Sequence, residues 1–250
     1  MEICFLGVGE ACDTRHPNTS IHIKARRGNQ ILLDCGFTTP HRYFAMCDNP
    51  NDLDAVWISH FHGDHFFGIP LLLIRFWEMN REKTLHICGQ SGTEEKIVQV
   101  MELAYPDFLR RLKFKLEITE IEPDNRVKIG STVWRTAETV HSQRCLSVRI
   151  EDAGYSLFYS GDGKPTANTS RLAMECDLVI HESFWFDKVA IGHGNVRRCL
   201  DFAREVKASH LALVHLERET RRNQYDQVSE ALKSAACNAF LPESGDIFYL

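Results

Sequence analysis

Six consecutive residues, His60-Phe61-His62-Gly63-Asp64-His65, put three imidazoles and a carboxylate into one short stretch. Groups of this kind are costly to crowd together unless something binds them all. The run Ala55–Ile58, "AVWI", reads as a short strand that leads straight into the cluster. In extended backbone, residues two apart point the same way. His60 and His62 can therefore face one cation. Gly63 permits a sharp turn, and Asp64 and His65 can then turn toward a second cation beside the first. Zinc accepts such nitrogen and oxygen donors at about 2.0–2.2 Å. A donor set without thiolate suits manganese or iron as well. No pair of histidines four apart encloses a glutamate, so the helical HExxH type of zinc site is excluded.

A cluster of this kind needs a fold that brings further donors to it. The rest of the chain supplies them where apolar runs stop. "ILLD" ends in Asp34, "SLFYSGD" in Asp162, "DLVIHE" in His181 and Glu182, and "LALVHL" reaches His215. Strand ends along one sheet edge can share a cleft. His141 follows a strand and a turn. Asp162 stands between two glycines, so it can approach an ion closely and bridge two of them. His215 closes the set. A bridging carboxylate is a natural way to hold two divalent ions about 3.5–4 Å apart.

Strands are also expected at Glu2–Leu6, Ser20–Lys24, Ile31–Leu33, Leu85–Cys88, Val133–Thr136, Leu146–Ile150, Ser156–Tyr159, Leu178–Ile180, Leu211–Val214 and Ile247–Tyr249. Helices are expected at Phe66–Met79, Thr93–Ala104, Asn195–Val206 and Tyr225–Ala236. Strands with helices interspersed predict sheets covered by helices, an α/β or α+β layered domain. With no linker or composition break, one domain is expected over residues 1–250.

Composition narrows the function classes. The net charge of −5 gives no global attraction to nucleic acid. No run of about 18 apolar residues exists, and the N-terminus lacks a basic region and cleavage site, so neither a membrane span nor a signal peptide is expected. Nine cysteines without a CxxC read as buried thiols in a reducing cytoplasm. The basic clusters at Arg110, Arg111, Lys113 and Lys115, at Arg197 and Arg198, and at Arg218, Arg221 and Arg222 read as solvated helix faces. The last lies close enough to His215 in sequence to meet an anion. His22, His41, His86 and His210 lack ligand company and read as surface or satisfied structural residues, and His16 as a residue of the site rim.

The HxHxDH stretch with a distal histidine, an aspartate and a last histidine resembles the metallo-β-lactamase superfamily. The resemblance covers nearly the whole chain and is strongest to the ribonuclease Z branch. "FLGVGEACDTRHPNTS", "LLDCG", "GDGKP", "HESF" and "GHGN" are similar to that branch's glycine loop, its aspartate turn and its GDTxP, HEAT and GHST elements. The resemblance implies a four-layer αβ/βα sandwich with two divalent metal ions, zinc foremost, at one edge. His60, His62, His141 and Asp162 would hold one, and Asp64, His65, Asp162 and His215 the other. It implies a hydrolase, a phosphodiesterase of ribonuclease Z type with a metal-bridging hydroxide as nucleophile. Asp64 would take a proton from the nucleophile, and Glu182 with His193 would return one to the leaving group. Asp34 would steady a ligand histidine. Dimers are common in that branch, and its substrates imply an anionic small molecule, nucleotide or RNA.

Three departures qualify the likeness. Only about twenty residues separate His141 from Asp162, read as two strands joined by "EDAG", so the branch's tRNA-gripping arm is missing. Phe184, Gly194 and Asn195 replace residues of the HEAT and GHST elements, and "LVHLERETRR" follows the last histidine differently. Two other readings therefore stand beside the phosphodiesterase: a lactone, thioester or other ester hydrolase with the same metals, and a non-catalytic metal-binding protein.

Overall fold

Successive residues of a strand face opposite sides of its sheet, and this alternation sorts the apolar residues into layers. The computed structural model describes residues 1–250. Strands β1 (Glu2–Gly7), β2 (Ser20–Lys24), β3 (Gln30–Leu33), β4 (Leu53–Ile58), β5 (Leu85–Gly89) and β6 (Leu116–Glu120) belong to one sheet. Strands β7 (Val127–Ile129), β8 (Thr132–Glu138), β9 (Leu146–Asp152), β10 (Tyr155–Tyr159), β11 (Leu178–Glu182), β12 (His210–Val214) and β13 (Asn238–Phe240) form a second. The last strand, β14 (Ile247–Tyr249), crosses back to pair with β1. Both sheets follow one plan. Pairing is antiparallel from β14 to β3 and from β7 to β10, then parallel from β3 to β6 and from β10 to β13.

The inner faces meet in a core that includes Phe5, Ile23, Leu33 and Trp57 from one sheet and Trp134, Ile150, Tyr159 and Ile180 from the other. Trp57 and Trp134 pack edge to face across it, with centroids 6.0 Å apart. Truncating either tryptophan removes about 3–5 kcal/mol. The alternate residues face outward under helices. Leu32, Val56 and Ile87 lie under α1 (Thr39–Met46), α3 (Ile69–Glu78) and α4 (Thr93–Ala104), and the short α2 (Gly63–Phe66) sits at the edge. Phe158, Val179 and Leu211 lie under α5 (Ala167–Ala173), α6 (Val196–Glu205) and α8 (Tyr225–Lys233), with α7 (Arg218–Asn223) before the last. This is the expected αβ/βα sandwich. The inner parallel strands, such as β4 and β11, are covered on both faces, which explains why their sequences are near-continuous apolar runs.

One expected element divides. The helix read as Phe66–Met79 is two helices, α2 and α3, broken at Phe67 and Gly68. The apolar pattern runs on, but the backbone cannot. Gly68 N–H donates to Cys35 O at 2.8 Å, and a β-carbon on Gly68 would lie 2.2 Å from Gly36 O. Gly36 is jammed just as tightly, since its β-carbon would fall 1.9 Å from Asp64 O. The turn after β3 thus fixes where α2, and with it Asp64, can sit. α3 then begins afresh with Pro70 in its first turn, where the missing N–H does no harm.

Candidate metal centre

In parallel sheets, ligands bind beyond the carboxyl ends of the strands. Here both sheets present those ends on the same side. Ser59 and His60 follow β4, and His62 to His65 turn into α2. Asp162 follows β10, Glu182 ends β11 and His215 follows β12. His141 follows β8, where Val140 pairs with Lys164, and His193 lies in the loop before α6. The expected metal donors, together with Glu182 and His193, therefore come together at one edge of the sandwich. His215 has a left-handed backbone (φ 59°), held by its N–H to Val8 O (2.9 Å) and by pairing of Gly9 with Leu216. A non-glycine residue in this region is strained, so the fold holds His215 against a local cost of about 1–2 kcal/mol.

The donors converge. His62 Nδ1 is 3.0 Å from His60 Nε2 and 3.1 Å from His141 Nε2. Asp64 Oδ2 is 3.3 Å from both His65 Nε2 and His215 Nε2. Asp162 lies between the two groups. Its Oδ1 is 3.4 Å from His65 Nε2, and its Oδ2 is 3.6 Å from His215 Nε2 and 4.0 Å from the Nε2 atoms of His60 and His141.

Outer contacts fix the tautomers. The Asp34 carboxylate, fully buried, accepts from Ser59 N–H (2.7 Å), Ser59 Oγ–H (2.8 Å), Tyr159 O–H (2.7 Å) and His65 Nδ1–H (2.7 Å). Because the Ser59 proton goes to Asp34, Ser59 Oγ must accept from His60 Nδ1–H at 3.0 Å. His141 Nδ1–H donates to Gly192 O at 2.6 Å. The Nε2 atoms of His60 and His141, and of His65 once an ion displaces any second proton, are then lone pairs aimed inward.

A cation fits this arrangement. His62 Nδ1 can carry one proton at most, so at most one of its two close contacts is a good hydrogen bond and the other leaves an acceptor unmet. His65 Nε2 and Asp162 Oδ1, 3.4 Å apart and buried, have no hydrogen-bond partner. Such groups are rarely left unpaired unless an ion or water completes them. Burial, then the nearby His65, hold His60 well below the usual imidazole range. Burial opposes charge on Asp162 and His215. His215 and His65 nevertheless keep Asp162 well below the carboxylate range, and Asp162 with Asp64 raises His215 to about 9. Negative charge at Asp64 and Asp162 is therefore available to balance a divalent ion.

Next to the ion-binding groups lies a second constellation. Glu182 is buried, and its Oε1 accepts from Gly194 N–H (2.7 Å) and Gly163 N–H (2.9 Å). Gly163 has φ 117°, and a β-carbon there would meet Thr139 Oγ1 at 2.5 Å, so only glycine brings this amide to the carboxylate. His193 Nδ1 is 3.4 Å from the same Oε1, in ion-pair range but outside hydrogen-bond geometry. Burial opposes charge on His193, but Glu182 and then Asp162 outweigh it and raise its pKa. Phe184 stacks on the His193 ring at 4.7 Å.

The family then follows. Residues 1–235 match the sequence profile of the family described as Anti-Pycsar protein Apyc1. The chain belongs to the Anti-Pycsar protein Apyc1 family. This member is also similar to ribonuclease Z of Thermococcus kodakarensis, at 26% identity over 302 residues that cover 99% of this chain and 94% of the relative. The alignment is longer than this 250-residue chain, so the relative carries residues that are absent here. Among solved structures, it is similar to the metallo-β-lactamase fold protein YhfI from Bacillus subtilis, with TM-score 0.82, 22% identity, and 99% and 98% of the two chains covered. It is likewise similar to human tRNase Z, short form, with TM-score 0.80, 22% identity, and 100% and 99% covered. The member is a metal-dependent hydrolase with the metallo-β-lactamase fold. No helix is long and apolar enough to cross a membrane.

Some residues escaped the sequence reading. Ser59 and Tyr159 were absent from the expected site, although Tyr159 is the one hydroxyl at the end of an otherwise apolar strand end, "LFY". Phe184, a departure from the HEAT element, packs its ring on His193. The cluster after His215 is only in part a solvated helix face: Arg218 and Arg222 are exposed, but Arg221 is not. Arg221 is 5% exposed and Arg218 is paired with Glu10 at 2.7 Å. His22, by contrast, is the satisfied structural residue expected, buried and hydrogen-bonded to Gln30 at 3.0 Å.

Proposed function

We propose that the protein is a dinuclear phosphodiesterase acting on a nucleotide or RNA. His60, His62, His141 and Asp162 would hold one divalent ion, and Asp64, His65, Asp162 and His215 the other, with zinc the leading candidate. The observation that carries this reading is Asp162, whose two oxygens face donors of both groups at 3.4–4.0 Å. Divalent ions bound there would lower the pKa of a water and offset charge on the phosphoryl oxygens. The ribonuclease Z relatives support phosphodiester chemistry over ester or thioester cleavage.

The protein's own groups do the rest. Asp64 gives Oδ2 to His65 and His215 and keeps Oδ1 without a protein partner, free to accept the proton of the attacking water. His193 turns Nδ1 toward Glu182, which leaves Nε2 as the atom that protonates the departing alkoxide. Glu182, held by two backbone amides, stabilises the imidazolium before that transfer. Phe184 limits the tilt of the His193 ring.

The test compares leaving groups. Glu182→Gln and His193→Ala should lower kcat/KM by about 10²–10⁴ on a dinucleotide, whose alkoxide must be protonated. On bis(4-nitrophenyl) phosphate, whose leaving group needs no proton, the loss should stay under about tenfold. Equal losses on both substrates would remove the proton-donor role. Metal analysis should give two equivalents per chain, and a panel of cyclic nucleotides, pre-tRNA, lactones and thioesters should show hydrolysis confined to phosphodiesters.

A further inference from the structure

We infer that a pocket on the flank of this centre binds a phosphate group, and that it receives a phosphate of the substrate other than the one cleaved. The second half of this inference rests on the phosphodiesterase reading above. The pocket has a volume of about 300 Å³, and Arg15, His16, Arg218, Arg221, Arg222 and Glu243 are among its lining residues.

Both walls are anchored at a metal-site residue. One wall is the loop that leaves β1, where Val8 O accepts from His215 N–H at 2.9 Å. The other is α7, which starts at Arg218, three residues past His215. Three extended residues and three helical ones span at most about 15 Å, so Arg221 lies within that reach of His215.

Arg221 is the decisive residue. It is 5% exposed, and its Nη2 donates to Pro242 O (2.6 Å) and Glu243 Oε1 (2.9 Å). Its Nη1 is buried and has no partner. A buried guanidinium with unmet donors is unfavourable unless an acceptor completes it. Glu243 is its only carboxylate partner, is half exposed, and also lies 3.6 Å from His16 Nδ1. Arg15 and Arg222 are exposed and form no ion pair, whereas Arg218 is committed to Glu10. The lining thus holds four arginines against the carboxylates of Asp13, Glu219 and Glu243. Burial and then the Arg221 charge lower the His16 pKa, so its ring enters as a neutral hydrogen-bonding group. Arginine forks with unused donors, aimed from two segments at one small cavity, match the oxygens of a phosphate. If Arg221 served only to pin the C-terminal segment through Pro242 and Glu243, Arg15 and Arg222 would have no part in any ligand effect.

The test uses zinc-loaded protein and the Arg15→Gln/Arg222→Gln double variant, which leaves the Arg221 contacts intact. The kinetic substrates are a dinucleotide and the same dinucleotide with a 5′-phosphate. The wild type should favour the phosphorylated form through KM, and the double variant should lose that preference by about tenfold. An unchanged preference would overturn the substrate role. Inorganic phosphate titrated into the same protein, followed by the His16 ring resonances, tests the pocket alone. A saturable shift in the wild type that is lost in the double variant supports the pocket, and no shift overturns it. If phosphate binds but neither the dinucleotides nor any phosphodiester of the panel above is hydrolysed, the phosphodiesterase reading has failed and the pocket stands as a site for free phosphate.

Discussion

Asp34 offers the sharpest test of how the site is held, and Asp34→Asn is the substitution to make. The residue has φ 57°, and asparagine tolerates that left-handed backbone about as well as aspartate, so the change acts on the side chain alone. Four donors converge on the carboxylate: Ser59 N–H on Oδ1, and Ser59 Oγ–H, Tyr159 O–H and His65 Nδ1–H on Oδ2. The amide has one oxygen. If that oxygen serves the three donors, the new NH₂ faces Ser59 N–H and one buried donor is stranded. That loss, with the weakening of charge-assisted bonds, amounts to about 2–4 kcal/mol of stability. His65 keeps a weaker acceptor and Ser59 shifts against His60, so both half-sites loosen. Metal affinity should fall by about 10–100-fold, the usual effect of losing a partner to a ligand histidine. Competition with a chromophoric chelator measures the affinity, and calorimetry the stability. Tyr159→Phe is the control. It removes one donor from the same carboxylate but touches no histidine, so it should cost about 1 kcal/mol of stability and leave metal affinity within about twofold. If Asp34→Asn and Tyr159→Phe change metal affinity equally, Asp34 does not act through the imidazoles.

Two further outcomes are expected. Burial lowers His22 to a pKa of about 4, while its hydrogen bond with Gln30 pulls the other way. Below about pH 6.5 the unfolded chain takes up a proton here that the folded chain refuses until about pH 4, so stability should fall by about 1.4 kcal/mol per pH unit across that window. Urea unfolding of His22→Gln at pH 7, 5.5 and 4.5 should show a shallower decline than the wild type, and parallel declines would contradict the assignment. Chelating the metals should lower Tm by about 5–10 °C, since a ligand at 100 times its Kd contributes about 2.7 kcal/mol. Readdition should restore Tm, and an unchanged Tm would mean that the donors hold no ion.

The sequence was most legible where structure is local. Runs such as Ser20–Lys24, Thr93–Ala104 and Ile247–Tyr249 became elements with those bounds, because their periodicity is complete within the segment. Most donors of the candidate site were legible for a related reason: they stand at or just past the end of an apolar run. What escaped depends on neighbours distant in sequence. The break at Gly68 is imposed by the turn at Gly36. β6, "LEITE", and β13, "NAF", are short and only partly buried, and they become strands by pairing with β5 and β12. α1, "TPHRYFAM", lacks a clear apolar stripe and is fixed by Tyr43 beneath it. Tyr159 looks like a core aromatic until Asp34, 125 residues away in sequence, supplies its acceptor.

The division of donors between the two sheets has a mechanical consequence. His60, His62, Asp64 and His65 come from the half of the chain that builds the first sheet, and His141, Asp162 and His215 from the half that builds the second. In the proposed assignment each ion takes donors from both halves, so neither half can load an ion alone. The ions then act as rivets across the sandwich. Pulling the halves apart would then have to break ion–ligand bonds as well as the tryptophan contact between the sheets. Metal starvation would therefore register as a weakened seam between the two halves, as well as lost turnover.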